Sequence, residues 1–152
     1  MNMTIQKKDY PKTTVVVDPV FGYGLRLDED VSMYRKIVEY VGERISKDEY
    51  KKRLAEGLKT KSPLYLAQLT SDAPLFVDAR YMGNESRFIN HSCAPNCIFE
   101  TWYVDKKPRL MVVAKSAMKK GTILSIFYID PSWGIVCQCG TCDGTFIAPD
   151  SD

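Results

Sequence analysis

The sequence lacks any long hydrophobic run: nothing in its 152 residues approaches the roughly eighteen consecutive apolar positions that a membrane-spanning helix needs. It also lacks an excess of either charge. Its 21 basic residues nearly balance 19 acidic ones, and a formal net charge of +2 is too small for the footprint of a nucleic-acid binder. Direct sequence-specific contact with DNA or RNA is therefore not expected, nor is a membrane partner. Met1 to Lys12 holds no apolar segment of the signal-peptide kind, so the chain is expected to be soluble and intracellular. No repeat, low-complexity tract or Gly/Ser-rich linker divides it, and its length suits one domain with a real core.

Histidine is nearly absent and cysteine is scarce, yet both are concentrated. The single histidine and all five cysteines fall in two short stretches, Arg87-Phe88-Ile89-Asn90-His91-Ser92-Cys93-Ala94-Pro95-Asn96-Cys97 and Cys137-Gln138-Cys139-Gly140-Thr141-Cys142. An odd cysteine count with tight spacing and no secretion signal points to metal ligation rather than disulfides. In an extended segment, residues two apart point the same way, so Cys137 and Cys139 can grip one ion. Gly140 permits a turn that brings Cys142 back to the same ion. Tetrahedral structural zinc needs a fourth ligand, and Cys93 and Cys97 are the thiols left to supply it. The alternative is five free buried thiols, which three cysteines in six residues disfavour.

Most of the remaining chain reads as short strands broken by turn signals. Thr13–Val17, Leu25–Leu27, Lys36–Tyr40, Leu64–Leu69, Phe76–Asp78, Ile98–Val104, Arg109–Ala114 and Ile123–Ile129 are the expected strands. Asp105-Lys106-Lys107-Pro108 is expected to turn a hairpin. One helix is well signalled: Ser46 and Glu49 form a capping box, and Tyr50, Leu54 and Leu58 recur every fourth residue. Gly57 is expected to mark its fraying end. The fold class is thus mainly β with minor helix, and strands that do not alternate with helices exclude a Rossmann-type sheet.

Taken in order, several motifs resemble the SET domain of protein lysine methyltransferases. They are Gly22-Tyr23-Gly24, Glu39-Tyr40-Val41-Gly42-Glu43-Arg44-Ile45, Val77-Asp78-Ala79 with Gly83-Asn84, the Asn90-His91-Ser92-Cys93 run, Gly121–Tyr128 and the terminal cysteines. Each alone is weak; the ordered set is specific. The resemblance covers Val16 to Gly144, and the Asn-His-Ser-Cys-x-Pro-Asn-Cys and Cys-x-Cys-Gly patterns are most similar to the NSD, ASH and SUV39 types of histone methyltransferase. It divides the chain into an N-terminal extension (1–15), a SET domain (16–131) and a post-SET zinc segment with tail (132–152). No cysteine-rich pre-SET or associated-with-SET segment precedes Val16, so a minimal version is expected. The implied fold is a set of small β-sheets in which the Asn90–Cys93 segment and the Tyr128 segment cross as a pseudoknot, a rare form of threading.

The resemblance also implies S-adenosylmethionine as methyl donor, structural zinc, and a peptide lysine as acceptor, on a histone tail, possibly within a nucleosome, or on another protein. Asn90 and His91 are then expected to hold the cofactor's two ends, and Gly22, Tyr23 and Gly24 to approach it closely. Tyr65 lines its pocket; Arg87 and Phe88 support it; Asp78 is structural. Tyr128 is the expected catalytic residue, orienting a neutral amine for in-line attack, with Tyr40 as a second wall of the lysine channel that hydrogen-bonds the amine. Cys93, Cys137, Cys139 and Cys142 become the zinc ligands, which leaves Cys97 spare. Nuclear, chromatin-associated location follows from the resemblance alone.

Three positions depart from the family pattern. An Asp or Asn usually precedes the catalytic tyrosine, and Phe127 stands there. A Phe or Tyr usually stands two before it, and Ile126 replaces it, which removes a water-anchoring phenol from the channel and favours higher methylation states. The last two zinc cysteines are one residue closer than usual. These departures keep a second reading open, a catalytically weak or inactive SET-fold module that binds chromatin or another protein.

Overall fold

A computed structural model describes residues 8–19, 22–61, 64–70 and 74–127. Its strands are β1 (Thr13–Asp18), β2 (Gly22–Leu27), β3 (Lys36–Glu39), β4 (Glu43–Ser46), β5 (Leu66–Gln68), β6 (Leu75–Asp78), β7 (Asn90–His91), β8 (Cys97–Val104), β9 (Lys107–Ala114) and β10 (Ser125–Ile126). One α-helix, α1 (Lys47–Thr60), follows β4, and a 3-10 helix (Glu85–Phe88) precedes β7. The strands form three small sheets, β1-β2, β3-β9-β8-β10-β7 and β4-β6-β5. All pairings are antiparallel except those of β10, which runs parallel to both β7 and β8. The expected mainly-β class with small sheets is what the structure shows. Among the described residues, no helix is long and apolar enough to cross a membrane.

Local chemistry accounts for the elements. The β8–β9 hairpin turns on Asp105 and Lys106 alone, both with positive φ (50° and 64°), as a two-residue turn matched to strand twist requires. Lys107 and Pro108 belong to β9, so the turn is two residues shorter than the four expected. Helix α1 starts where the capping box predicts: the Ser46 Oγ accepts the Glu49 N–H at 3.2 Å. Its Tyr50 stacks on Phe76, with ring centroids 3.9 Å apart, and Leu54 and Leu58 pack beside Ile45 and Leu66. Gly57 is not a fraying end. The helix continues to Thr60 and stops at Lys61, which takes the left-handed conformation. A β-carbon on Gly57 would stand 2.5 Å from a Leu64 methyl, so glycine there lets the chain return close to the helix.

Strand β1 begins at Thr13 and therefore straddles the expected division at residue 15. Only Ser125–Ile126 of the expected strand 123–129 pairs as one, although Ile123 bridges to Arg26; residues from Tyr128 on lie outside those described, and with them the expected crossing. β4 was unmarked in sequence because Glu43 and Arg44 hide its alternation.

The core joins the five-stranded sheet to β2, with Leu25, Leu27, Ile37, Val112, Leu124 and Ile126 at 2% exposure or less. Each such side chain contributes about 2 kcal/mol by leaving water. The helix and the three-stranded sheet are tied together by charge. Arg53 donates to Glu43 at 2.9 Å, to Glu49 at 3.4 Å and to the buried Asp78 at 2.9 Å. Asp78 also accepts the Arg80 N–H at 2.9 Å, which fits the structural role expected of it.

This network sets a pH dependence. Hydrogen bonding from Arg53 holds the Glu43 carboxyl below its ordinary value, so its stabilisation is present above the unfolded pKa of about 4.3 and is lost as pH falls through the lower folded value. Arg53→Met should destabilise by roughly 3 kcal/mol at neutral pH, because the buried Asp78 carboxyl loses its ion-pair partner. It should also flatten the loss of stability below about pH 4. Urea melts of both proteins from pH 3 to 7 test this; parallel pH profiles would exclude the assignment.

Candidate active site where β2, β7 and β10 meet

Two segments far apart in sequence are joined by one side chain. The Asn90 Nδ2 donates to the Tyr23 carbonyl at 2.6 Å, fixing the start of β2 against β7. Gly22 has φ +84°, which favours glycine, and a β-carbon on it would meet nothing within 4 Å. Gly24 is packed: a β-carbon there would lie 3.6 Å from the Asn90 Nδ2 and 3.6 Å from Ile123. The exposed Tyr23 ring tilts against Phe88 at 5.3 Å, and the Arg87 guanidinium lies 5.0 Å from the other ring of that pair. Arg87 also donates to the Ala79 and Arg80 carbonyls at 3.4 and 3.3 Å. The expected cofactor residues from Gly22 to Gly24 and from Arg87 to Asn90 therefore share one locality.

His91 continues that locality towards β10. It is 7% exposed, pairs in register with Ile126, and its ring lies 4.8 Å from the Phe127 ring. Ser92 extends the pairing by donating its N–H to the Ile126 carbonyl at 3.1 Å. Ile126 is 2% exposed, whereas Phe127 is 38% exposed. Tyr128, the expected catalytic residue, lies just beyond the described residues.

Tyr40 and Tyr65 form a second group on the same core. The Tyr40 hydroxyl donates to the Tyr65 carbonyl at 3.0 Å, and its ring meets Phe99 edge-on at 5.5 Å. The Tyr65 carbonyl also accepts the Ala79 N–H at 3.0 Å, so its backbone is the hub here. Tyr65 also lines a cavity of about 180 Å3 together with Leu64, Leu66, Arg80 and Tyr81. Gly42 lies between Tyr40 and β4, where a β-carbon would come 2.5 Å from the Asp78 carbonyl oxygen.

The SET domain family matches residues 22–129, most of the chain. The chain belongs to the SET-domain family. Similar curated proteins include the H3 lysine-36 specific histone-lysine N-methyltransferase of Debaryomyces hansenii, 36% identical over 143 residues. That of Emericella nidulans is 36% identical over 146 residues, and each alignment covers 91% of this chain. The Drosophila melanogaster histone-lysine N-methyltransferase ash1 is 36% identical over 124 residues, 79% of this chain. The chain spans 19%, 14% and 6% of those three proteins' lengths.

Several residues that shape this SET domain carried no role in the sequence reading. Asn96 clamps the segment leading into β10: its Nδ2 donates to the Ile123 carbonyl at 2.9 Å, and its Oδ1 accepts the Ser125 N–H at 2.8 Å. Its own N–H is received by the Ser125 Oγ at 3.2 Å. Asn84 caps the 3-10 helix by accepting the Ser86 N–H at 3.1 Å, and donates to the Glu39 carbonyl at 3.0 Å. Glu39 in turn takes a two-pronged ion pair from Arg109 at 2.6 and 2.5 Å, which holds β3 just before Tyr40 and raises the Arg109 pKa. The two asparagines were signalled by the motifs Gly83-Asn84 and Pro95-Asn96, since short polar side chains there can bond to nearby backbone groups.

The two described cysteines differ sharply. Cys97 is fully buried at the head of β8, and burial pushes its thiol pKa up to about 12. Cys93 is half-buried two residues past β7, with its Sγ 3.9 Å from the His91 Nε2. Cys137, Cys139 and Cys142 lie outside the described residues, among which no group of three or more metal-ligating side chains occurs.

Removing the Asn96 clamp should matter twice. Asn96→Ala leaves the Ile123 carbonyl and the Ser125 N–H without their partner and should cost about 2–4 kcal/mol. Asn96→Asp, which keeps the acceptor, should lose less. Denaturant melts rank the three proteins, and an Asn96→Ala variant as stable as the parent would rule out the clamp.

Proposed function

We propose that this chain is a protein-lysine N-methyltransferase that uses S-adenosylmethionine and acts on a histone tail. The names of its relatives, two of which specify lysine 36 of histone H3, support that substrate and a nuclear, nucleosome-bound setting. The observation that carries the reading is the Asn90–Tyr23 hydrogen bond. It gathers the Gly22–Gly24 turn and the Asn90–His91 strand beside Ile126, two residues before Tyr128.

S-adenosylmethionine, when bound, supplies a methyl group on a positively charged sulfur. Gly22, Tyr23, Gly24, Arg87, Phe88, Asn90 and His91 are the residues proposed to hold it, with Tyr65 at the margin. They fit: Gly22 leaves open space on its exposed side, and Tyr23 and Phe88 offer aromatic surface beside it. A substrate lysine must arrive neutral, which costs about 4–5 kcal/mol at pH 7. An apolar channel walled by Tyr40, Ile126 and Phe127 lowers that cost by disfavouring the ammonium form. Tyr128 then orients the amine, and Tyr40, whose hydroxyl is anchored on the Tyr65 carbonyl, is proposed as the second wall that hydrogen-bonds it. Ile126 leaves no phenol to hold a water in the channel, so the product is proposed to be di- or trimethyllysine.

Zinc is proposed to fasten residues 132–152 to the domain 16–131 through Cys93, Cys137, Cys139 and Cys142. The described residues fit this choice of fourth ligand. Cys93 is half-buried two residues past β7, whereas Cys97 is fully buried and desolvation raises its thiol pKa, which disfavours the thiolate a metal needs. Phe127 favours the second reading, a binding module, because its ring occupies the place of the usual acid and packs on His91.

Incubation with labelled S-adenosylmethionine and recombinant nucleosomes should label histone H3, and Tyr128→Phe should lower the rate on the order of 100-fold. Intact cofactor binding without label on any histone would instead favour the binding module. Elemental analysis should find one zinc per chain, retained in Cys97→Ser and lost in Cys93→Ser. Retention in Cys93→Ser would remove that ligand from the assignment.

A further inference from the structure

Residues 8–12 precede the stretch matched to the family, which begins at Gly22, yet they are built into the described structure. Both ends of this arm are fastened. Arg35 donates to the Asp9 carbonyl at 2.9 Å and lies 3.8 Å from the Asp9 carboxylate. At the other end the Lys12 N–H is received by Glu29 at 2.9 Å, and the Lys12 carbonyl accepts the Asp28 N–H at 2.9 Å. Between them Tyr10 packs against Val104, Met111 and Val113. Met111 and Val113 alternate with Leu110 and Val112 of the main core, so Tyr10 covers the opposite face of the five-stranded sheet.

That face also carries the Glu39–Arg109 ion pair. Glu39 stands opposite Met111 in the β3–β9 register, and Arg109 lies two residues along β9. Tyr10, Glu39 and Arg109 line one cavity of about 640 Å3. The Tyr10 hydroxyl is buried and bonds to no group among the described residues. Burial raises its pKa; the Glu39 charge adds to that and the Arg109 charge opposes it, as close neighbours do. A buried hydroxyl without a partner costs stability, so the ring rather than the oxygen accounts for a tyrosine here. An ion pair is strengthened when water is kept from it and is worth little when exposed.

We propose that the Tyr10 ring shields the Glu39–Arg109 pair from water and so acts as a positioning residue for Tyr40, with residues 9–12 as the strap that holds the ring in place. Glu39 directly precedes Tyr40, and the Tyr40 N–H bonds to the Leu110 carbonyl at 2.8 Å, next to Arg109. Weakening the pair therefore loosens β3 at the residue whose hydroxyl reaches the Tyr65 carbonyl. The consequence for catalysis rests on the reading of Tyr40 as a wall of the lysine channel; the positioning does not.

Amide hydrogen exchange of the full chain, followed by NMR, reads the hold on Tyr40 without turnover. In Tyr10→Ala the Tyr40 amide should exchange about 10-fold faster, while the Leu124 amide, bonded to the Leu25 carbonyl, keeps the parental rate. Tyr10→Phe should behave as the parent. Added to Arg109→Met, which breaks the pair outright, Tyr10→Ala should change the Tyr40 rate little further. Parental Tyr40 exchange in Tyr10→Ala overturns the proposal, as does equal acceleration at Tyr40 and Leu124, which marks general destabilisation. A Tyr10→Phe variant that exchanges like Tyr10→Ala overturns it too, by assigning the effect to the hydroxyl. If circular dichroism shows Tyr10→Ala unfolded, Arg35→Ala decides, since it frees Asp9 and leaves the ring in the chain; parental Tyr40 exchange there overturns the proposal. Methyl transfer to histone H3 is measured alongside, and Tyr10→Ala should lower kcat about 5-fold with S-adenosylmethionine affinity unchanged. A parent chain that labels no histone sinks the proposed function, while the exchange rates still decide the strap.

Discussion

Strand β10 is two residues long, yet the site depends on where it lies. It runs parallel between β7 and β8, and Asn96, Ser125 and Ser92 supply the hydrogen bonds that seat it. Parallel pairing needs a long crossover between partners and earns little stability per residue, so such a short strand would not hold by its ladder alone. The polar clamps and the burial of Ile126 offset that weakness. Once β10 is seated, the His91 ring faces that of Phe127.

Sequence legibility followed locality. Helix α1 was readable because its cap, its apolar stripe and its partner residues lie within a dozen positions. The β8–β9 hairpin was readable as a hairpin, but its exact turn was not, since two consecutive non-glycine residues with positive φ leave no compositional mark. β4, β7 and the 3-10 helix escaped because each is too short to show a period, and their pairing is set by distant chain. A mainly-β class survives such misses because it rests on the sum of many short strands rather than on any boundary.

The site was legible in a different way. Pattern alone proposed the glycine turn, the Asn90–His91 pair and the cysteines, and the structure brings the first two together through a bond spanning 67 positions. Spacing alone left Cys93 and Cys97 both open, and the resemblance chose Cys93. The structure sets the two apart in burial: Cys97 begins β8, where desolvation raises its thiol pKa, and Cys93 is half-buried two residues past β7. Nor could pattern foresee that Arg109 pairs with Glu39, 70 positions away, and holds β3 just before Tyr40.

These supports suggest why the departures at Ile126 and Phe127 are tolerable. Ile126 ends β10 and Phe127 follows it, and the hydrogen bonds that seat the strand come from backbone groups, Ser125 and Asn96 rather than from either side chain. Ile126 needs only to fill its place in the core, which it does at 2% exposure, and Phe127 needs only to pack on His91. Chemistry at the end of β10 can therefore vary while the scaffold that aims it stays fixed, so activity and stability should respond separately to change at these two positions.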